Sequence, residues 1–267
     1  MSERPVVPRS LLARPSLDAA RALLGARLVR EDGRGRRAGR IVELEAYIGV
    51  DDLASHARFG PTARNRVMFG RPGIAYVYLV YGMYHCLNVV TEPETEPAAL
   101  LVRAVEPIEG DELMRLARER WLAAAGTRRA RGGGSARDEK DTPAADHGLR
   151  RIPSARLASG PGLVAVAFGI DRSDDGTDLC DPTSSLRLEA APTDEASPEI
   201  RTTPRIGIDS APEPWRSNAW RITAAGNAAV SGPRDRRAGD GSADCFDRGS
   251  RPSRPRSDSR SHSRSER

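Results

Sequence analysis

The stretch from residue 74 to 90, IAYVYLVYGMYHCLNVV, leaves this chain little conformational freedom. Two runs of aromatic and β-branched residues are separated by a short segment that carries Gly82. Such runs favour strands, and a glycine at the first central position suits a type II′ turn. The expectation is a β-hairpin with arms at 74–80 and 85–90 and a tight turn at 81–84. Residues 40–48 alternate cleanly as another strand, with Val42, Leu44 and Ala46 on one face and Glu43, Glu45 and Tyr47 on the other. Residues 98–105 form an apolar strand ending at Glu106-Pro107.

The rest of the chain reads less sharply. Ser16 is placed as the N-cap of a helix over 17–24, which Gly25 stops. Residues 26–30 alternate weakly and the Gly/Arg stretch 33–39 reads as a turn. Residues 49–73 form a long connection with one helical turn near 53–57, and connections that long are usually functional or disordered. Residues 111–125 have helix-forming composition with Leu113, Leu116 and Trp121 on one stripe. The Arg/Gly/Asp-rich insert 126–151 lacks apolar periodicity and is expected to be mobile. Gly160-Pro161-Gly162 opens an apolar segment, 163–170, that fits a buried helix or a buried strand. Short strands are expected around 185–190, 206–208 and 220–224. The Arg/Ser/Asp tail 234–267 cannot supply a core, which leaves one domain over residues 1–233.

Charge and cysteine content narrow the function classes. Of a net charge of +5, the tail contributes +4, from ten Arg against six Asp or Glu, so the body is near neutral. Specific binding of a polyanion therefore rests on local patches in the body. No apolar run approaches membrane-spanning length and the N-terminus lacks a signal-peptide core, so a cytoplasmic location is expected, on the nucleoid in a prokaryote, with no membrane partner. Cys86, Cys180 and Cys245 are widely spaced and unlike a Cys-x-x-Cys metal pair.

The residue types able to act on a planar substrate are concentrated between 41 and 88. All five tyrosines lie there, together with His56 and His85. Glu45 is the best candidate general base, since a strand can hold a carboxylate rigidly beside a reacting centre; Glu43 and Glu45 equally fit the wet face of a half-buried strand. Tyr47, His56 and Tyr78 could line an aromatic pocket, where stacking is worth roughly 1–3 kcal/mol per base, or could simply pack between sheet and loop. Tyr81 at the hairpin tip suggests a wedge that unstacks DNA, with ordinary packing as the alternative. Arg64-Asn65-Arg66 could grip phosphates or be a solvated pair of arginines. Arg103, flanked by apolar residues, needs a carboxylate partner or a ligand, and Glu45 is one. Glu43, His56 and His85 lack a metal-ligand spacing.

Taken together, GRIVELEAYIG, ASHA, ARNRVMF, YVYLVYGMYHCLN and LLVRAVEP resemble the alkyladenine, or 3-methyladenine, DNA glycosylase family. SGPG at 159–162, TPRIGI at 203–208 and AGNAAVSG at 225–232 are weaker echoes. The resemblance implies a mixed α+β single domain with a curved antiparallel β-sheet, flanking helices and a protruding β-hairpin. It also implies a monomeric, monofunctional glycosylase that needs no cofactor or metal and whose partner is double-stranded DNA containing damaged bases. By that resemblance Glu45 activates water, Arg103 and the Ile206 backbone hold the water, and Tyr47, His56 and Tyr78 sandwich the flipped base. Asn88 forms a wall that excludes guanine's 2-amino group, and Tyr81 fills the gap left in the duplex. Arg64, Asn65, Met68 and Tyr84 touch the DNA backbone.

The chain departs from the family in three places. Thr62-Ala63-Arg64-Asn65 stands where the family commonly has Thr-Pro-Arg-Asn. Leu163-Val164-Ala165-Val166 follows Gly162 where relatives carry Lys-Leu-Cys-Gln, which predicts weaker or more salt-sensitive DNA binding and keeps a noncatalytic binder of damaged bases as the alternative. A metal-dependent hydrolase is a third reading. Pairing of Tyr81 with Tyr84 also puts Tyr78 and Asn88 on opposite hairpin faces. Finally, a glycosylase that nicks the strand needs an amine for a Schiff base, and the only lysine is Lys140, in the loose insert. Base release without strand cleavage is therefore expected.

Overall fold

A computed structural model describes residues 4–131, 152–192 and 195–232; the tail and the part of the insert from 132 to 151 lie outside the described residues. Eight strands form one antiparallel sheet: β1 (Arg27–Asp32), β2 (Gly35–Ile48), β3 (Ala75–Val80), β4 (Tyr84–Val90), β5 (Ala98–Glu109), β6 (Leu186–Glu189), β7 (Ile200–Thr203) and β8 (Arg221–Ala224). The order is β3-β4-β5-β2-β1-β6, with β8 also on β2 and β7 on β8. At 14 residues β2 is the axis of the fold. One edge pairs with β5; the other pairs with β1 up to Arg40 and with β8 from Glu43. A strand that changes partners midway must bend, and register shifts between Ile41 and Leu44 mark the place. The sheet curls there into a half-barrel with helices against it.

The main core lies on one face, where β-strand residues such as Leu44, Leu87, Leu100 and Val102 pack with Leu12, Leu23 and Phe168 from the helices α1 (Arg9–Leu12), α2 (Ser16–Leu23) and α4 (Pro161–Phe168). Each such side chain contributes about 1.5–3 kcal/mol when fully buried. A smaller cluster, Ala57, Met68, Tyr76, Val90 and Ala99, fills the opposite face beneath the 49–73 connection. That connection holds two short 3₁₀ turns, His56–Phe59 and Arg66–Phe69, in place of the single expected turn.

Several local expectations change. Ser16 is the first helical residue after the cap position Pro15, and its hydroxyl instead bonds Thr91 at 2.8 Å and Glu92 at 2.6 Å. The supposed turn at 33–39 is mostly strand, and β5 continues through Pro107 opposite Gly39. A Cβ on Gly39 would stand 2.5 Å from Val105, so glycine is what lets β5 lie that close. The apolar segment after Gly162 is helical: Pro161 sits in the first turn and Gly169 closes the helix at φ 65°. Residues 206–208 are loop, and the strand lies earlier, at β7.

The helix α3 (Asp111–Arg131) runs past the expected start of the insert. Its inward positions are Met114, fully buried, and Arg118, which donates to the carbonyls of Arg156 and Leu157; Leu116 is 44% exposed. Of the expected stripe, Leu113 and Trp121 are half-buried and only Leu116 faces out; Arg118 gives no apolar signal because its head binds buried carbonyls.

The hairpin also differs. Val80 pairs with Tyr84, Tyr78 with Cys86 and Tyr76 with Asn88, so three residues, Tyr81 to Met83, join the strands. Tyr81 and Gly82 both take positive φ, 51° and 66°, and Met83 N–H donates to Val80 O at 3.2 Å. A one-residue change of register moves every side chain to the other face. Tyr76, Tyr78 and Asn88 therefore share a face, and the conflict between Tyr78 and Asn88 disappears.

Candidate active site

The register lays the candidate residues out in rows. Tyr76 pairs with Asn88, Asn88 with Leu101, Leu101 with Glu45, and Glu45 with Arg221. Residues directly opposite in adjacent strands share a face, with strands about 4.8 Å apart. Tyr78 and Glu43 lie two residues from Tyr76 and Glu45 and fall on that face too. Tyr47 pairs with Ala99, whose small side chain leaves space beside the phenol. Glu43 pairs with Ala104 and Leu44 with Val102, so the register shift between Glu43 and Leu44 leaves Arg103 unpaired in β5, beside the two carboxylates.

Glu43 and Glu45 are both fully buried, not the wet face of a strand. Segments from the second half of the chain cover them. Glu45 accepts from Ile206 N–H at 2.7 Å, Tyr47 Oη at 3.1 Å and Arg103 Nη1 at 3.2 Å. Glu43 accepts from Arg103 Nε at 2.9 Å, Arg221 Nε at 2.7 Å, and the Ser231 amide and hydroxyl at 2.6 and 2.9 Å. Arg103 thus bridges two carboxylates. Ile206 N–H and Arg103, expected around a water, here bond the carboxylate itself. Burial lifts the Glu45 carboxyl above its usual range, against the opposing pull of Arg103, Ile206 and Tyr47. Burial would lower the Arg103 value, but Glu45 and Glu43 together hold it up.

Tyr47, which bonds Glu45, also lines a cavity of about 180 Å³ whose other lining residues include His56, Tyr76, Tyr78, Asn88 and Met68. The expected ring set, Tyr47, His56 and Tyr78, is brought together, and Tyr76 joins it unannounced. Its place two residues before Tyr78 on one strand face was the available signal. His56 Nδ1 lies 2.9 Å from the Tyr76 hydroxyl, and the His56 and Tyr78 rings meet edge-on at 4.6 Å. Burial, then Arg64 and Arg58, lower the His56 value, so the ring is neutral at neutral pH. Burial pushes the Tyr76 phenol up to about 12 and the Tyr47 and Tyr78 phenols well up, so all three remain protonated. Asn88 is buried in the wall, its amide donating to Tyr76 O at 3.0 Å.

Two buried polar residues hold the loops around the cavity. The Asn65 side chain donates to the carbonyls of His56 and Gly60 and accepts from Thr62 N–H, so it braces the 56–65 loop. Asp52 and Arg205 form a bidentate pair, at 2.6 and 2.9 Å, that also ties Ala46 O and lays the guanidinium 4.6 Å from the Tyr47 ring centre. Periodicity carried no signal for Asp52 or Arg205.

The residues expected on the DNA backbone divide. Arg64 is exposed and donates to Leu79 O at 3.3 Å. Asn65 and Met68 are each 2% exposed: the Asn65 side chain braces the loop and the Met68 side chain lines the cavity. Tyr84 is pinned: Trp121 stacks on it at 4.6 Å, and a Cβ on Gly162 would approach its ring to 2.6 Å. Trp121 Nε1 also donates to Met83 O at 3.3 Å, so α3 holds the base of the hairpin. Tyr81 at the tip is 84% exposed. Among the described residues, no group of three or more His, Cys, Asp and Glu could hold a metal ion, and no helix is long and apolar enough to cross a membrane.

The structure thus joins a curled antiparallel sheet, a buried carboxylate tethered to an arginine, a cavity lined by aromatic rings and an exposed aromatic on a hairpin tip. Residues 10–228 match the methylpurine-DNA glycosylase family, and the chain belongs to that family. It is 46% identical over 220 residues to a protein of Methanocella arvoryzae, covering 79% of this chain and 91% of that one. Proteins of Myxococcus xanthus and Streptomyces avermitilis are each 41% identical over 216 residues, covering 81% and 80% of this chain and 88% and 87% of theirs. All three bear the provisional name 3-methyladenine DNA glycosylase.

Proposed function

We propose that this chain is a monofunctional DNA glycosylase of base excision repair. It flips alkylated purines, 3-methyladenine and 7-methylguanine, and also hypoxanthine, out of duplex DNA and hydrolyses the N-glycosidic bond. The observation that carries this reading is the buried Glu45 carboxylate, anchored by Arg103, Ile206 N–H and Tyr47, the last of which lines the aromatic cavity. Extruding a base costs a few kcal/mol, less for a poorly paired lesion, so damage is selected before chemistry begins. An N3- or N7-alkylated purine is cationic and stacks well against Tyr47, His56 and Tyr78. Asn88 forms the wall that turns away guanine's 2-amino group.

As the C1′–N bond breaks, its electron pair leaves with the base and the sugar becomes oxocarbenium-like. Water attacks C1′, Glu45 takes the water's proton, and the carboxylate charge stabilises the cationic sugar. Tyr81 occupies the vacated space in the duplex, and Arg64 meets a phosphate. The chain acts as a monomer, in the cytoplasm, through residues 1–233, and the basic tail adds nonspecific attraction to DNA. The scarcity of amines favours base release without strand cleavage.

Single-turnover release of base from a duplex with one 7-methylguanine or hypoxanthine, run in chelator, tests the reading. Wild type should release base and leave the strand intact, and Glu45→Gln should bind the lesion with release slowed by at least about 100-fold. Binding without release by wild type, on every alkylated purine tried, makes the chain a damage binder instead.

A further inference from the structure

Glu43 is a second fully buried carboxylate, and the hydrolysis scheme gives it no task. It takes the Nε of the same Arg103 whose Nη1 goes to Glu45, at 2.9 and 3.2 Å. It also takes Arg221, which lies opposite Glu45 in the register and is anchored by Thr203 Oγ1 and Ser231 O, each at 2.9 Å. We propose that Glu43 and Arg221 are positioning residues that set the proton affinity of Glu45 by competing for, and compensating, the charge of Arg103. This inference rests on Glu45 being the general base.

A carboxylate paired with an arginine of its own is a weak base, because the cation stabilises its ionised form. A second carboxylate that draws on the same guanidinium leaves Glu45 less neutralised and better able to take a proton from water. Arg221 opposes this by neutralising part of Glu43. The charged and titratable groups facing Glu45 are Arg103 from β5, Arg221 from β8, and Glu43 and Tyr47 on its own strand. Farther out, Tyr78 and the Asp52–Arg205 pair act on Tyr47, and Cys86 lies near Arg103. Glu43 adds to the burial that lifts the Glu45 value.

The two variants have opposite signs, which a purely structural role does not produce. The rate of release from a duplex bearing 7-methylguanine, corrected for spontaneous loss, is followed against pH; that base is already cationic and needs no proton to leave, so the acidic limb reports the general base. In Glu43→Gln the limb should move to lower pH by about one unit, with a lower plateau, because Arg103 then serves Glu45 alone. In Arg221→Gln it should move to higher pH, and Arg221→Lys should restore the wild-type position. Limbs that coincide with wild type, or that move the same way, overturn the inference. Should Glu43→Gln fail to fold, the Arg221→Gln and Arg221→Lys pair decides. A wild type with no acidic limb, or a Glu45→Gln that keeps one, removes the general-base reading itself and this inference with it.

Discussion

The buried charged cluster is assembled from residues spread from Glu43 to Ser231 and the hairpin tip from three consecutive residues, and the two are opposites. Glu45 is fully buried and every partner it has is fixed by the fold, whereas Tyr81 is 84% exposed and held in a left-handed turn. A buried, multiply bonded carboxylate is preorganised, so its hydrogen bonds need no rearrangement when charge develops near it. An exposed tip carries no fold energy and is free to serve a surface the protein meets only on binding. The contrast teaches that in this chain stability and chemistry share residues in the cluster but separate at the tip.

Arg103→Leu is the hardest test of the cluster. It strands Glu43 and Glu45 with one cation fewer, and leaving a buried charge uncompensated costs about 3–5 kcal/mol. Thermal unfolding should show a large drop; a variant that melts with wild type means that the two carboxylates do not depend on Arg103.

The base of the hairpin should behave between the extremes. Trp121→Ala removes the stack on Tyr84 and the bond to Met83 O, at about 0.5–1.5 kcal/mol for the ring pair beyond its area. The expected result is a modest fall in melting temperature with a clear loss of affinity for lesion duplex, measured by anisotropy, as the tip loses its support. Unchanged affinity means that the hairpin is rigid without α3.

The tip itself should leave stability almost untouched. Tyr81→Ala should change unfolding by no more than about 0.5 kcal/mol, while the preference for lesion over undamaged duplex falls. If melting drops as far as in Trp121→Ala, Tyr81 belongs to the packed part of the protein and the comparison fails.

Much of this was legible beforehand in particular residues. The alternation of 40–48 put Glu43, Glu45 and Tyr47 on one face, and Arg103 was marked by its apolar neighbours as a cation in need of a carboxylate. The hairpin was visible, but its register was read one residue off, because the turn carries two positive-φ residues where one glycine was expected. The burial of the Asn65 and Met68 side chains was not legible, because nothing local to ARNRVMF tells a loop brace from a phosphate contact. Arg205 and Asp52 gave no sign at all.

The sequence by itself therefore determined the strands over 40–48, 74–90 and 98–105, which residues of 40–48 share a face and where the aromatic and acidic chemistry is gathered, because the pleat is a property of each strand alone. Only the tertiary structure decided that both faces of β2 are buried, that Arg103 divides itself between two carboxylates, and that Tyr76 meets His56. Those outcomes depend on register and on covering segments such as Ile206 and Ser231, whose contacts with β2 join residues far apart in the chain and leave no periodic trace in either one.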